Sequence, residues 1–287
     1  MENKIHRHIN CSRPLSAITI DIADVQKIFE KLDAKCKKDG WDELDKLQKM
    51  EDETPEEHSA RIRKLHEELF HVSVFIYGDD GSCIIGEDSN IFSFVNLPSK
   101  ISRIYMTNTL AYRTQIDRDP LNRFELTLDF SRPPIVDTNQ IASAPTINNS
   151  TINSIGDEEY VNVVVAHVVD LERNRQNNRK SFHSGFSYEV GLLVFGFPFT
   201  LSACWTASDT IDRIVSITHS FLGVIFYVYL VIFCLNLYRV IVGYMRWLFP
   251  LVELRQNRSF GTMHKAFWAA IVTTLAGNII WSIATNL

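Results

Sequence analysis

The 287-residue chain carries 29 Lys and Arg against 34 Asp and Glu, and 46% of its residues are apolar. This composition excludes a collagen-like fibre and a small disulfide-rich scaffold, and the net charge of −5 argues against a general nucleic-acid binder. Residues 187–287 hold only six basic and four acidic side chains, so a charged front portion joins an apolar tail and a wholly soluble protein is excluded.

The front portion, residues 1–186, is predicted to form a cytosolic α+β domain that regulates or binds a partner. The stretch AITIDI alternates as in a strand, and helical spacing follows from Val25 to Leu32. Gly40 is the predicted end of this helix, with a short second helix after it. A third helix is expected to start at Thr54, because the sequence TPEE combines an N-cap residue, a first-turn proline and a capping box.

The next segments are β-rich. Residues 71–77 and 82–86 flank the turn signal GDDG and predict a hairpin, and residues 101–107 predict another strand. The sequence RFELTLDF, which starts at Arg123, alternates strictly, so one face should be buried and the other wet.

The end of the front portion combines a polar segment with a helical one. Residues 137–156 contain ten Ser, Thr or Asn residues and are predicted to form a flexible loop. Residues 157–175 have helical apolar spacing, and this helix would run toward the membrane.

The tail, residues 187–287, is predicted to be an α-helical membrane domain. Residues 214–237 lack acidic and basic side chains and would span roughly 30 Å as a helix, and residues 266–286 form a second span with tryptophans near its ends. A shorter run, residues 190–205, contains Pro198 and is either a third, short span or a buried or re-entrant segment.

The positive-inside rule orients these segments. The connection 238–265 carries five basic residues against Glu253 alone, and four basic residues lie between positions 173 and 180. Both flanks can be cytoplasmic only if residues 190–205 cross the bilayer, so three spans are preferred. With two spans, the front domain stays cytoplasmic and the connection breaks the rule. Either way we expect a multi-pass protein of the cell inner membrane.

Arginines mark the segment YRVIVGYMRWLFP after the first strong span. Arg239 and Arg246 share one helical face, where they could contact lipid headgroups. Alternatively, the helix simply continues into the cytoplasm until Pro250.

Polar side chains recur at helical spacing within both spans. Thr274, Asn278 and Ser282 form a stripe in the last span, and Ser216 and Ser220 share a face of the earlier one. Such residues allow close helix packing, or they could line a water-filled path in a homo-oligomer.

Motifs for catalysis or cofactor binding are missing from the sequence. It contains no GxGxxG, GxxxxGK[ST], GxSxG or HExxH, and its five cysteines are widely spaced, so we predict no enzyme, no cofactor and no metal site. The sequence YGDD at Tyr77 resembles a polymerase metal-binding turn, but backbone preferences alone explain it. A membrane-bound enzyme that uses Asp79, Asp80 or Asp129 is kept as a third hypothesis.

Two stretches, NRFELTLDFSRPPIVD and YVYLVIFCLNLYRVIVGYMRWLFPLVEL, look like segments of bacterial membrane proteins. With this architecture the chain resembles the membrane effectors of bacterial antiphage systems, in particular the two-helix transmembrane effector of some retrons. The resemblance implies a toxin that its partner reverse transcriptase and the RNA–DNA product of that enzyme hold inactive until it is released to damage the inner membrane.

The leading hypothesis is therefore a membrane-perturbing effector in abortive antiviral defence. Its partners would be the lipid bilayer, further copies of the chain and a reverse transcriptase with its product, and the chain itself would not bind nucleic acid directly. The alternative is a non-toxic membrane-anchored adaptor or receptor, in which the tail only tethers the front domain.

Overall fold

The computed structural model divides the chain into two compact units. The described residues are 7–50, 53–93, 95, 97–136, 144–215, 220–258, 263–264, 266–270 and 273–274. The first unit comprises residues 1–131, 148–177 and 252–267, and the second comprises residues 132–147, 178–251 and 268–287. The sequence predicts one boundary at 186/187, whereas these units interleave along the chain.

The first unit mixes strands and helices, as predicted for the front portion. Its strands are β1 (His8–Pro14), β2 (Ile18–Ile20), β3 (Ser73–Gly78), β4 (Cys83–Gly86), β5 (Ile101–Thr107), β6 (Arg123–Asp129), β7 (Thr151–Asp157) and β8 (Val252–Leu254). Its α-helices are α1 (Ile22–Leu44), α2 (Pro55–Leu69), α3 (Leu110–Ile116) and α4 (Glu158–Arg175). The second unit contains α5 (Gly185–Gly191), a π-helical turn (Leu192–Gly196), α6 (Phe197–Val215) and α7 (Ser220–Leu248).

Six strands form an antiparallel sheet in the order β1-β7-β6-β5-β3-β4. Ile76, Ile104, Leu126 and Ile152 come from four neighbouring strands of this sheet and are fully buried. The alternation predicted for RFELTLDF is confirmed, because every second residue from Phe124 onward is buried. One face of the sheet therefore supplies much of the hydrophobic core.

Two local predictions are confirmed. Strands β3 and β4 form the expected hairpin. At the start of α2, the Glu57 backbone N–H donates to the Thr54 hydroxyl (3.2 Å), and the Thr54 N–H donates to the Glu57 carboxylate (2.8 Å). This capping box satisfies two backbone donors that the first turn leaves without helical partners.

Strand β7 contradicts the loop predicted over residues 137–156 at residues 151–156; residues 144–150 have no helix or strand, and residues 137–143 lie outside the described residues. The strand pairs with β1 on one side and with β6 on the other, so both of its edges carry backbone hydrogen bonds. Ile152 and Ser154 are fully buried. A strand placed between two neighbours gains enough from its ladders to override a composition that is typical of loops.

Gly40 lies inside α1 and does not end it. A side chain at this position would overlap the ring of Phe70, so the glycine lets the C-terminal cap of α2 pack directly on α1. The predicted short second helix is instead the last turn of α1, which ends at Leu44.

A small second sheet is built around β2. Its residues Ile18–Ile20 pair in parallel with Val252–Leu254 of β8. Ile18 also forms an antiparallel bridge with Gln176, and the Asn177 N–H donates to the carbonyl of Ala17 (2.9 Å). The chain leaves the first unit directly after Asn177 and returns to it at Val252, so β2 pairs with both of these junctions.

Candidate functional site

Among the described residues, two helical segments of the second unit are long and apolar enough to cross a membrane. They are Gly185–Val215, of 31 residues, and Phe221–Leu248, of 28 residues, together called the helix pair below. Only 11% of the most apolar window in each is buried, which argues against the core helices of a soluble protein. Large apolar side chains such as Trp205, Phe186 and Phe221 are instead more than two-thirds exposed.

The first segment stays helical through Pro198. The π-helical turn Leu192–Gly196 comes just before the proline. A proline cannot donate the usual helical hydrogen bond, and its ring crowds the carbonyl four residues earlier. A widened turn changes that pairing, and the helix continues to Val215. The predicted run 190–205 is thus the central part of a longer helical segment.

The second segment begins later and ends later than predicted. Residues 214 and 215 still belong to α6, and α7 extends from Ser220 to Leu248 in place of the predicted 214–237. The segment YRVIVGYMRWLFP therefore continues α7 to Leu248, as one of the two interpretations expected.

Small residues allow the two helices to approach each other closely. Gly191 and Gly196 lie against Tyr238, whose hydroxyl donates to the Tyr188 carbonyl at 2.9 Å. Near the other end, a Cβ on Gly223 would lie 3.2 Å from a methyl group of Val215. This is the packing of small against large residues that stabilises helix pairs in lipid, where the hydrophobic effect does not join helices.

Each of the two helices contains an uncharged run of similar length. The run Val190–Ser208 carries no charge and is about 28 Å long as a helix, and the run Ser220–Tyr238 has the same length. Glu189 directly precedes the first run, and Arg239 directly follows the second. The length agrees with the roughly 30 Å hydrocarbon core of a bilayer.

Helix α7 ends in a cluster of side chains that donate to backbone carbonyls. His183 is 3% exposed, and its Nε2 lies 2.7 Å from the Phe249 carbonyl oxygen. A carbonyl can only accept, so Nε2 carries a hydrogen, and Nδ1 lies 2.8 Å from the Thr146 hydroxyl. Arg179 donates to the Pro250 carbonyl at 3.3 Å. These donors satisfy the carbonyls of Phe249 and Pro250, which directly follow the last helical residue, Leu248.

Arg246 completes this group, the α7 end cluster. Its guanidinium donates to the carbonyls of Ala144 (3.1 Å), Phe182 (3.3 Å) and Ser184 (3.5 Å). Burial lowers the pKa of His183, and the Arg246 and Arg179 guanidinium groups lower that pKa further. The cluster ties the end of α7 to the segment that leads into α5.

The predicted polar residues fall only partly within the described chain. Thr274 is helical, and its hydroxyl donates to the Ala270 carbonyl at 2.8 Å, the usual position for a threonine in a helix. Ser220 is the first residue of α7. Ser216, Asn278 and Ser282 lie outside the described residues, as does most of the span predicted at 266–286. Pore lining, helix packing and lipid contacts of Arg239 and Arg246 all stay predictions.

The predicted turn at Asp79 and Asp80 has the bonds of a structural turn. Asp80 accepts hydrogen bonds from the backbone and the hydroxyl of Ser82, and Asp79 pairs with Lys100. Within the described part of the chain, no three His, Cys, Asp or Glu side chains come together to hold a metal ion.

Sequence patterns did not point to His183, Arg179 or Tyr238. The partner of each lies about 50 to 71 residues away along the chain, so no local spacing connects them. The nearest signal in the sequence is the basic run before the tail, which by itself indicates only membrane topology. No family model, no curated protein and no solved structure matches this chain.

Proposed function

We propose that this protein is a regulated effector of the bacterial inner membrane, in which the first unit controls the helix pair. The observation that carries this proposal is the pair of long helices whose large apolar side chains point outward. Exposed apolar surface of this extent is unstable in water and is stabilised by lipid.

Chain connectivity supports a single orientation for the helix pair. The chain leaves the first unit after Asn177 and re-enters it at Val252, so the number of crossings between these residues must be even. Arg179 and Lys180 precede the pair, whereas Asp209, Asp212 and Arg213 come at the connection between the helices. By the positive-inside rule, the first unit is cytoplasmic and the connection faces the periplasm.

Membrane damage requires more than one copy of the chain in this proposal. Two helices cannot enclose a water-filled path, so several pairs would have to assemble. The resemblance to retron effectors supplies the proposed setting, antiphage defence, and the proposed inhibitor, a reverse transcriptase with its RNA–DNA product.

A membrane-anchored adaptor is the second candidate. It is favoured by the close contact of Gly191 and Gly196 with Tyr238, because such packing makes a stable anchor. It is also favoured by the uncharged runs Val190–Ser208 and Ser220–Tyr238, which supply no fixed charge for an ion path.

An exchange of the helix pair distinguishes the two functions. The full chain and a variant with residues 185–248 replaced by an unrelated two-helix anchor are expressed in a bacterial host with a potential-sensitive dye. An effector depolarises the membrane only with its own helices. Equal biological activity of both proteins without depolarisation would favour the adaptor.

A labelling experiment tests the orientation separately. Asp212→Cys should react with a membrane-impermeant maleimide in intact spheroplasts, whereas the exposed Cys83 should react only after the membrane is opened. Labelling of Cys83 in intact spheroplasts would contradict the cytoplasmic assignment.

A further inference from the structure

Strand β2 pairs with the chain on both sides of the second-unit segment 178–251. On one side it pairs with Val252–Leu254, where the chain re-enters the first unit, separated from the end of α7 by three residues. On the other side Ile18 bridges to Gln176, and the Asn177 side chain donates to the Thr19 hydroxyl at 3.0 Å. A strand has two edges. One edge of β2 contacts residues 176–177, where the chain leaves the first unit, and the other contacts residues 252–254, where the chain returns to it; these two places are called the junctions.

The spacing that β2 imposes suits a packed helix pair. Neighbouring strands lie about 4.8 Å apart, so the two segments that flank β2 are held about 10 Å apart. Packed helices have interaxial distances of about 8 to 10 Å. The small sheet thus holds the residues at which the chain leaves and re-enters the first unit about 10 Å apart, a distance similar to that between packed helices.

The same strand leads directly into α1. Asp21 follows β2 and caps α1, since its side chain accepts from the Asp24 N–H at 2.9 Å. Arg175, at the end of α4, donates to Asp24 at 2.7 Å, and Arg255, just after β8, lies 3.8 Å from Asp21. Ion pairs from both junctions therefore converge on the first turn of α1.

We propose that β2 is a shared clamp, through which a change at the first turn of α1 reaches both ends of the helix pair at once. Ile18, Ile20 and Leu254 are fully buried, so the clamp is part of the core of the first unit. Release of β8 from β2 would free the junction after α7 and loosen the junction before α5. This deepens the proposed function and rests on it for its biological role, since release would be the activating step.

The test measures amide hydrogen exchange in the full-length protein in lipid nanodiscs. Leu254→Asp places a charge in the core and should release β8. Gln256→Asp introduces the same charge two residues later, at an exposed position, and serves as the matched control. If β2 is a shared clamp, Leu254→Asp speeds hydrogen exchange of the Asn177 amide at least about tenfold, and the amides of β2 and β8 also exchange faster. Gln256→Asp leaves exchange of the Asn177 amide unchanged.

Fast exchange of residues 252–254 with an Asn177 amide as protected as in the wild type would overturn the clamp. The amides of β6 report whether the first unit stays folded. If they also lose protection, Val252→Ala, which removes only two buried methyl groups, replaces Leu254→Asp, and the same comparison applies. Coupled exchange without depolarisation in cells would support the clamp and count against the effector function, so the two failures are distinguishable.

Discussion

Acidification should loosen the C-terminal end of α7 through His183. The imidazole is buried, donates to the Phe249 carbonyl and has a pKa below the ordinary 6.5. A second proton on Nδ1 could still find the Thr146 hydroxyl, so the cost comes from a buried charge beside Arg246 and Arg179 and not from a lost hydrogen bond.

The sign and size of the effect follow from proton linkage. Because burial depresses the pKa in the folded state, the stabilisation is complete above the unfolded pKa and is lost as the pH falls below about 6.5 toward the folded value. One proton changes stability by at most about 1.4 kcal/mol per pH unit. Between pH 7.5 and 5.5 the end of α7 should therefore lose up to about 1.4 kcal/mol.

Amide exchange of residues 245–249 in lipid nanodiscs measures this loss after correction for intrinsic rates. Local opening should become up to about tenfold more frequent at pH 5.5 than at pH 7.5. His183→Gln provides the control, because an amide can donate to the Phe249 carbonyl but does not titrate in this range. His167 also has a lowered pKa, but it belongs to α4. An identical pH dependence in wild type and His183→Gln would refute the reasoning.

Three further outcomes are expected. Gly243→Ala should destabilise the second unit by about 1 to 3 kcal/mol in thermal unfolding, because a methyl group there overlaps a backbone carbonyl. Gly223→Ala places its methyl group 3.2 Å from a methyl group of Val215, which has to shift by only a few tenths of an ångström, so this variant should cost less than Gly243→Ala. Thr54→Ala should cost about 1 kcal/mol, seen as faster exchange in the first turn of α2. Maleimide at pH 8 should modify the exposed Cys83 and spare Cys36, since burial raises the pKa of Cys36 to about 12; labelling of Cys36 at the rate of Cys83 would contradict its burial.

Local signals in the sequence were sufficient to predict structure that depends on contacts between residues close together in the chain. The capping box at Thr54, the hairpin of β3 and β4 and the alternation that starts at Phe124 all depend on residues a few positions apart. Periodicity and length likewise identified apolar helices in the tail, although the bounds moved by up to 11 residues.

Long-range pairing accounts for what sequence reasoning missed. Strand β7 has the composition of a loop and becomes a strand because β1 and β6 supply partners on both edges. Gly40 is typical of a helix end when the sequence alone is considered, but in the structure it gives space for the Phe70 ring to pack on α1. The α7 end cluster joins His183 to Phe249, and no pattern within a single helix predicts such a contact.

The pairing of β2 with β8 has a consequence for biosynthesis. Residues 18–20 leave the ribosome early, but their parallel neighbours, residues 252–254, emerge only after both apolar helices have been made. The amino-terminal fold thus stays incomplete until both apolar helices have been synthesised. The order of synthesis alone therefore prevents a partly made chain from completing the small sheet of β2 and β8.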